Sequence, residues 1–427
     1  MAKVKIAIIG GGSFAWTPTI VRDIVITAAL DGSTICLEDI NPQALKLTAR
    51  AARRCIRQAK AHFKVVTTES QEEALRGADY VILTISTGGL EAMRQDLEIP
   101  YKFGIYQPVG DTVGPGGLSR ALRNIPVVVG IARDMERLCP DAWLLNYTNP
   151  MTTLSRAVTK ATRVKTIGLC HELYGTIRTI RRWLNLPRGV RIEARVGGIN
   201  HLPWILNLSV DGKDGLAMLH DYVKVHGTGA SAVKLELFRV YGALPAAGDR
   251  HVCEWFPYFL TRESNWGARF GVKLTTIEER YGWFASAQKQ VKKLAAGDEP
   301  FDLTPSQEAA SRLIAGLATG TYTVDVMNLP NQGQLPDLPR DAVVETMGAV
   351  GPTGAQGFAG GAMPRGVVAH LQKLVTMQEM VVDAALTGDP KLALAALLLD
   401  PLVTEYASAE KMLDELLRAT KQYLPQF

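Results

Sequence analysis

The amino-acid sequence predicts an α/β fold: a doubly wound parallel sheet over residues 1–165, then a helix-rich α+β part over 166–427. Three observations carry this. Short apolar runs of strand length alternate with helical periodicity through the first 165 residues. The first run ends in glycines that open a helix, and beyond about residue 165 the alternation gives way to mostly helical segments.

VKIAII at 4–9 reads as a buried parallel strand running straight into glycines. A helix over 16–29 tolerates Pro18 in its first turn. TICLE at 34–38 is a second strand, ended by Asp39. Residues 41–61 are helical, with Asn41 as cap and Pro42 at the first helical position. A short strand at 63–67, a short helix at 70–76 and the buried strand DYVILTI at 79–85 follow. The helix 118–138 leads to AWLLN at 142–146. In the second part, strands near 166–169 and over 190–210 precede helices at 216–226, 232–240, 306–319, 365–387, 391–399 and 407–422. The Gly- and Pro-rich stretches 327–340 and 350–365 read as loops covering a site, and HGTGAS at 226–231 as a mobile loop.

A chain of 427 residues has room for two or three domains, and 47% hydrophobic with 21% charged residues is ordinary globular composition. The net charge of +5 is dispersed, densest around Arg178, Arg181 and Arg182. That argues against a nucleic-acid partner, which needs a basic stripe, and leaves room for a small anionic ligand. No run of about 20 apolar residues, the length that spans a membrane, is present, and the short apolar run before the first glycines is not expected to act as a signal segment. Five scattered cysteines (Cys36, Cys55, Cys139, Cys170, Cys253) form no disulfide framework. They point to a reducing cytoplasm, which also keeps a functional thiolate free.

Gly10-Gly11-Gly12-Ser13-Phe14-Ala15 matches G-x-G-x-x-G/A after a strand and before a helix. Gly10, Gly12, Ser13 and Phe14 are therefore predicted to cradle a dinucleotide at a helix N-terminus. Asp39 closes the second strand and is the candidate for the ribose hydroxyls, with Glu38 as the alternative. An acid there selects NAD, because it repels the extra phosphate of NADP.

Five segments offer chemistry. Cys170 in GLCHE stands 31 residues before His201 in GINH. A thiolate and an imidazole suit Mn, Fe, Co, Ni or Zn, though by spacing alone both read equally as core residues. GDRH at 248–251 holds either a base, Asp249, tuned by Arg250, or a solvated turn with an ion pair. NYTNP at 146–150 lies at the C-terminal end of a parallel strand, where ligands bind in such sheets, or is simple turn chemistry. DTVGPGG at 111–117 either caps a helix or wraps a ligand, and Arg94 and Asp96 lie shortly before it.

In this order and spacing the segments resemble family 4 of the glycoside hydrolases. The resemblance covers nearly the whole chain: the glycine turn, Arg94 in RQDLEIPYKFG, DTVGPGG, NYTNP, GLCHE at 168–172, GINHL at 198–202, GDRHVCEWFP at 248–257, NLPNQGQLPDLP at 328–339 and LALAALLLDPLV at 392–403. It implies a Rossmann-like domain followed by an α+β catalytic domain, as in lactate and malate dehydrogenases, assembled as a homodimer or homotetramer. It also implies NAD and a divalent metal, manganese first, held by Cys170 and His201. Arg94 and Asn149 would contact substrate, with Asp111 and Asn200 beside them; His171 would donate a proton and Asp249 accept one. Glu172 would either hold His171 protonated or stabilise a turn. Cys170-His171-Glu172 resembles members acting on unphosphorylated sugars, namely α-glucosidases, α-galactosidases and α-hexuronidases.

The route implied by the resemblance oxidises the sugar at C3 with NAD, which acidifies the C2 proton for Asp249. Elimination of the C1 oxygen, protonated by His171, is followed by water addition and return of the hydride. The alternatives are the same route on a sulfonated sugar, a plain NAD-dependent dehydrogenase of a hydroxy acid or sugar, or a nucleotide-binding sensor without turnover.

Overall fold

The protein is described by a computed structural model over residues 2–427. Thirteen strands are present among the described residues. They are β1 (Lys5–Ile9), β2 (Thr34–Glu38), β3 (Lys64–Thr68), β4 (Tyr80–Leu83), β5 (Trp143–Asn146), β6 (Lys165–Gly168), β7 (Ile192–Ile199), β8 (Leu202–Val210), β9 (Lys213–Asp214), β10 (Leu244–Pro245), β11 (Thr323–Pro330), β12 (Val343–Gly351) and β13 (Gly354–Gly357).

The apolar runs of the first half become central parallel strands because their residues are covered on both sides. Their order, β3-β2-β1-β4-β5-β6, is that of the Rossmann fold. β6 pairs parallel with β5, so the sixth parallel strand begins where the anticipated division at 165/166 falls.

The second half extends this sheet instead of starting another. β11 lies antiparallel to β6, with Asn328 opposite Gly168. β12, β7, β8 and β10 continue outward in that order, all antiparallel. Gly168 makes the join possible: a Cβ there would sit 3.0 Å from the Asn328 Cβ and collide with the Met151 sulfur.

Helices cover both faces. On one side, Gly114–Leu138, Met151–Ala161, Arg365–Thr387 and Tyr406–Ala419 pack into one apolar cluster. On the other, Thr17–Val25, Pro42–Ala59, Ile277–Ala296 and Ala310–Thr319 form a second. Asn41 caps Pro42–Ala59 by accepting from Ala44 N at 3.0 Å, as the sequence indicates. No described helix is long and apolar enough to cross a membrane.

Several local expectations need correction. The stretch 190–210 is not one strand but the hairpin β7–β8, reversing at Asn200-His201. Part of 327–340 is the end of β11, and much of 350–365 belongs to the β12–β13 hairpin. One glycine there marks a close backbone approach: a Cβ on Gly360 would lie 3.1 Å from Val196 O and 3.4 Å from Gly197 Cα. Residues 226–231 form the end of a helix and a short 3-10 turn, Gly229–Ser231. The helices Gly89–Lys102, Met151–Ala161, Glu172–Trp183 and Ile277–Ala296 are not among those expected from the sequence. The last carries a legible signal, a capping box between Thr276 and Glu279.

Candidate active site

The glycine turn and the ends of β4, β5 and β6 share the C-terminal edge of the parallel sheet. Gly10 has φ +87°, and a Cβ on it would meet Thr84 O at 2.6 Å. The backbone can therefore turn tightly only with glycine here. Gly12 N donates to Asp39 Oδ2 at 2.8 Å, and Asn41 N donates to Asp39 Oδ1 at 2.9 Å. The Asp39 carboxylate is thus pinned at the tip of β2, beside the turn. Glu38 points into the protein; burial, reinforced by the Asp39 charge, pushes its carboxyl up to about 7. Ser13 Oγ accepts from Trp16 N at 3.3 Å, and Phe14 packs on Phe284 of the helix Ile277–Ala296 with centroids 5.5 Å apart.

Opposite this edge, three segments converge. His201 sits at the β7–β8 reversal with φ +64°, a conformation uncommon for a side-chain-bearing residue. His251 comes from the helix Asp249–Trp255, and its ring lies 3.8 Å from that of His201, centroid to centroid. Asp111 comes from the loop before Gly114–Leu138. Ligand atoms of these three residues all lie within 4.8 Å of one another.

Thr112 sets the chemistry of the group. Its hydroxyl donates to Asp111 Oδ1 at 2.7 Å and so has no proton left for His201 Nδ1, 2.8 Å away. His201 must therefore carry its proton on Nδ1 and present a lone pair on Nε2. His251 Nδ1 is buried without any partner. Burial, then the neighbouring His251, lowers His201 to about 3; burial lowers His251 to about 4. For Asp111, burial acts upward, but neighbouring positive charge, Arg280 first, outweighs it and holds the carboxyl at about 2. A carboxylate with two neutral imidazoles is a donor set suited to a divalent metal.

Of the anticipated metal pair, His201 lies in this triad and Cys170 does not. Cys170 follows β6, half-buried, and takes a hydrogen bond from Asn200, the residue before His201. Burial, then the charges of Glu345 and Glu172, push its thiol well above the usual range. Asn200 Nδ2 also reaches Glu345 Oε2 at 3.4 Å, and Asn328 Nδ2 donates to the same oxygen at 2.8 Å. Asn200 Oδ1 and Glu345 Oε1 are left buried without partners.

His171 Nδ1 lies 2.9 Å from Glu308 Oε1, and this hydrogen bond is the main cause of its raised pKa. Its ring is 6.5 Å from Trp16, at the start of the helix that follows the glycine turn. Glu172 is occupied elsewhere, accepting from Gly248 N at 2.6 Å, which matches the turn-stabilising alternative. Asp249 accepts from Val233 N and Lys234 N at 3.3 Å each, so it caps the helix Ala232–Tyr241 from outside. Burial raises its carboxyl despite the nearby Lys234. Asn149 precedes a cis proline, and its carbonyl accepts from Arg120 Nε at 3.0 Å. Arg94 is held by Glu98 at 2.9 Å and lies over the Tyr281 ring; none of its contacts is among the groups above. Asp96 is fully buried with Arg123.

His251 and Thr112 lie inside the segments GDRH and DTVGPGG, yet the sequence assigns neither a role; Glu308 carries no local signal.

The sequence profile described as "Family 4 glycosyl hydrolase" matches residues 5–186, and that of the family's C-terminal domain matches 196–403. An alpha-galacturonidase of Thermoanaerobacterium saccharolyticum is 36% identical over 452 residues, spanning 99% of this chain and 96% of its own. The crystal structure of the Bacillus subtilis protein lplD is 32% identical, covers 98% of this chain and 100% of that one, and superposes with a TM-score of 0.90. A 6-phospho-alpha-glucosidase from gut microorganisms, solved in complex with NAD and Mn2+, shares the fold over 100% of both chains at 20% identity and a TM-score of 0.84. The chain therefore belongs to family 4 of the glycosyl hydrolases.

Proposed function

We propose that this chain is an NAD- and manganese-dependent glycosidase that hydrolyses an unphosphorylated α-glycoside by transient oxidation at C3. Galacturonides come first among its substrates, in line with the alpha-galacturonidase relative. The observation that carries the reading is the Asp111–His201–His251 set, with its fixed tautomer and the partnerless Nδ1 of His251. The dinucleotide turn at the end of β1 and the relative solved with NAD and Mn2+ support it further.

Bound at such a site, NAD supplies a hydride acceptor and a divalent cation supplies Lewis-acid polarisation of sugar oxygens. His201 Nε2, His251 Nδ1 and the Asp111 carboxylate would hold the cation, with Cys170 as a softer fourth donor. Gly10, Gly12, Ser13 and Phe14 would receive the dinucleotide, and Asp39 keeps lone pairs for ribose hydroxyls beside the two bonds it accepts. His171, its imidazolium favoured by the hydrogen bond to Glu308, is suited to protonate the leaving oxygen. Asp249, with its raised carboxyl, is suited to take the C2 proton. Asn149, Asn200 and Arg94 are assigned to the sugar hydroxyls.

We also assign the enzyme to the cytoplasm, as a homodimer or homotetramer without nucleic-acid or membrane partners. All five cysteines are free thiols, in keeping with a reducing compartment.

The test is a panel of aryl α- and β-glycosides, with and without NAD, Mn2+ and a reductant, run also in deuterated water. Hydrolysis of α-glycosides that needs NAD and leaves deuterium at C2 is the expected result. Hydrolysis that survives NAD removal, or stoichiometric release of NADH, would overturn the proposal.

A further inference from the structure

Beside the metal set, the chain gathers positive charge that it does not balance. Arg250 precedes His251 on the helix Asp249–Trp255, and Arg280 comes from the separate helix Ile277–Ala296. Both lie against one aromatic ring: their guanidinium carbons are 5.9 and 5.0 Å from the Trp283 ring centroid. Arg250 Nη2 donates to Pro108 O at 2.7 Å, and Arg280 Nη2 donates to the next carbonyl, Val109 O, at 3.0 Å. These two consecutive carbonyls fix both side chains. The Nε atoms of both arginines are buried without partners, and neither Nη1 has a hydrogen-bond partner among the described residues.

Carboxylates nearby do not cancel this charge. Asp111 Oδ2 is 4.0 Å from Arg280, but Asp111 also faces the buried Arg120, so one carboxylate is shared between two guanidiniums. Glu254 stays protonated up to about 8 because it is buried. Glu279 is bound by Lys273 and by its own helix cap. Two half-buried guanidiniums side by side are costly unless an anion joins them.

We propose that Arg250 and Arg280 form the subsite for the carboxylate of an α-hexuronide, so that the enzyme selects a uronide over the neutral hexoside. The inference rests on the glycosidase reading above and names the substrate group that the site selects. Each arginine has one Nη committed to backbone and one Nη left, so the pair offers one free donor group to each of the two oxygens of a carboxylate. A phosphate, with three oxygens and a second charge, would leave acceptors unmet.

The experiment uses the full-length enzyme with NAD and Mn2+. Calorimetry measures D-galacturonate and D-galactose binding, and kcat/KM is measured for 4-nitrophenyl α-galacturonide and α-galactoside. Wild type is expected to prefer the uronate in both assays. Arg250→Gln and Arg280→Gln should each reduce that preference by about 100-fold, with Arg280→Lys recovering part of it; a thermal melt of each variant confirms folding. NAD affinity is measured in parallel. Variants that keep the uronate preference, or that lose NAD instead of galacturonate, overturn the subsite while leaving the glycosidase reading intact. NAD-dependent hydrolysis by a wild type without uronate preference does the same. Selective galacturonate binding without any hydrolysis would uphold the subsite and sink the activity.

Discussion

Thr112 stands behind His201 with its hydroxyl oxygen 2.8 Å from Nδ1, and it donates its own hydrogen bond to Asp111. One side chain thereby orients two members of the metal set and fixes which nitrogen faces the cation. Outer partners of this kind typically govern metal affinity by 10–100-fold. Thr112→Val should weaken Mn2+ binding by roughly that factor, read by Mn2+ electron paramagnetic resonance titration, while Thr112→Ser should restore most of it. Equal affinity in Val and wild type would remove the role given to this hydroxyl.

The His171–Glu308 pair sets a pH limit. The pair raises the imidazole above its ordinary 6.5, so its stabilisation is complete below 6.5 and is lost as pH rises through the folded value. As proton donor, His171 is active on the acid side of that value. Glu308→Gln should therefore move the alkaline limb of kcat/KM to lower pH. His171→Asn should cost about 10²–10⁴ in rate, and less for aryl leaving groups that depart without a proton. An alkaline limb that stays put in the Gln variant would contradict the assignment.

Asp96 and Arg123 are fully buried, joined by a hydrogen bond of 2.8 Å, and Arg123 also donates to Thr87 O at 2.9 Å. Removing one charge would strand the other away from water. Asp96→Asn should lower unfolding free energy by about 3–5 kcal/mol, measured by denaturant titration. The double variant with Arg123→Met should lose less than the single change. A loss below about 1 kcal/mol in Asp96→Asn would show that water reaches the pair.

Glu254 gives a stability signature away from catalysis. Its Oε1 accepts from Val109 N and Gly110 N at 2.8 Å each, while Oε2 is buried without a partner. Burial lifts the carboxyl from 4.5 to about 8. The contribution tied to its proton is therefore fully present below 4.5 and disappears as pH climbs through about 8. Between roughly pH 5 and 9, Glu254→Gln should lose less Tm than wild type does. Parallel melting curves across that range would contradict the buried proton.

The parallel half of the sheet was readable because its strands are short apolar runs with clear punctuation, and Asp39 and the glycines sit where those runs stop. The antiparallel extension was harder to read for a physical reason. β11 and β12 carry Asn328, Glu345 and Gly348, polar or small residues placed for the site and for close strand pairing, and such composition imitates a loop. The metal set was half visible. His201 was named for its chemistry, but its neighbours come from segments distant in sequence, and GDRH drew attention to its carboxylate instead of its imidazole. Arg94 shows the converse: a residue named by resemblance whose contacts here lie with Glu98 and Tyr281.

The pairing of β6 with β11 has a mechanical consequence. The dinucleotide turn and the histidine pair are suspended from a single continuous sheet, so the halves cannot swing apart without tearing backbone bonds. Admission of a sugar and release of product must then be handled by side chains and surface segments around a stationary frame. The spacing between the two centres is then set by the strand register and not by a hinge.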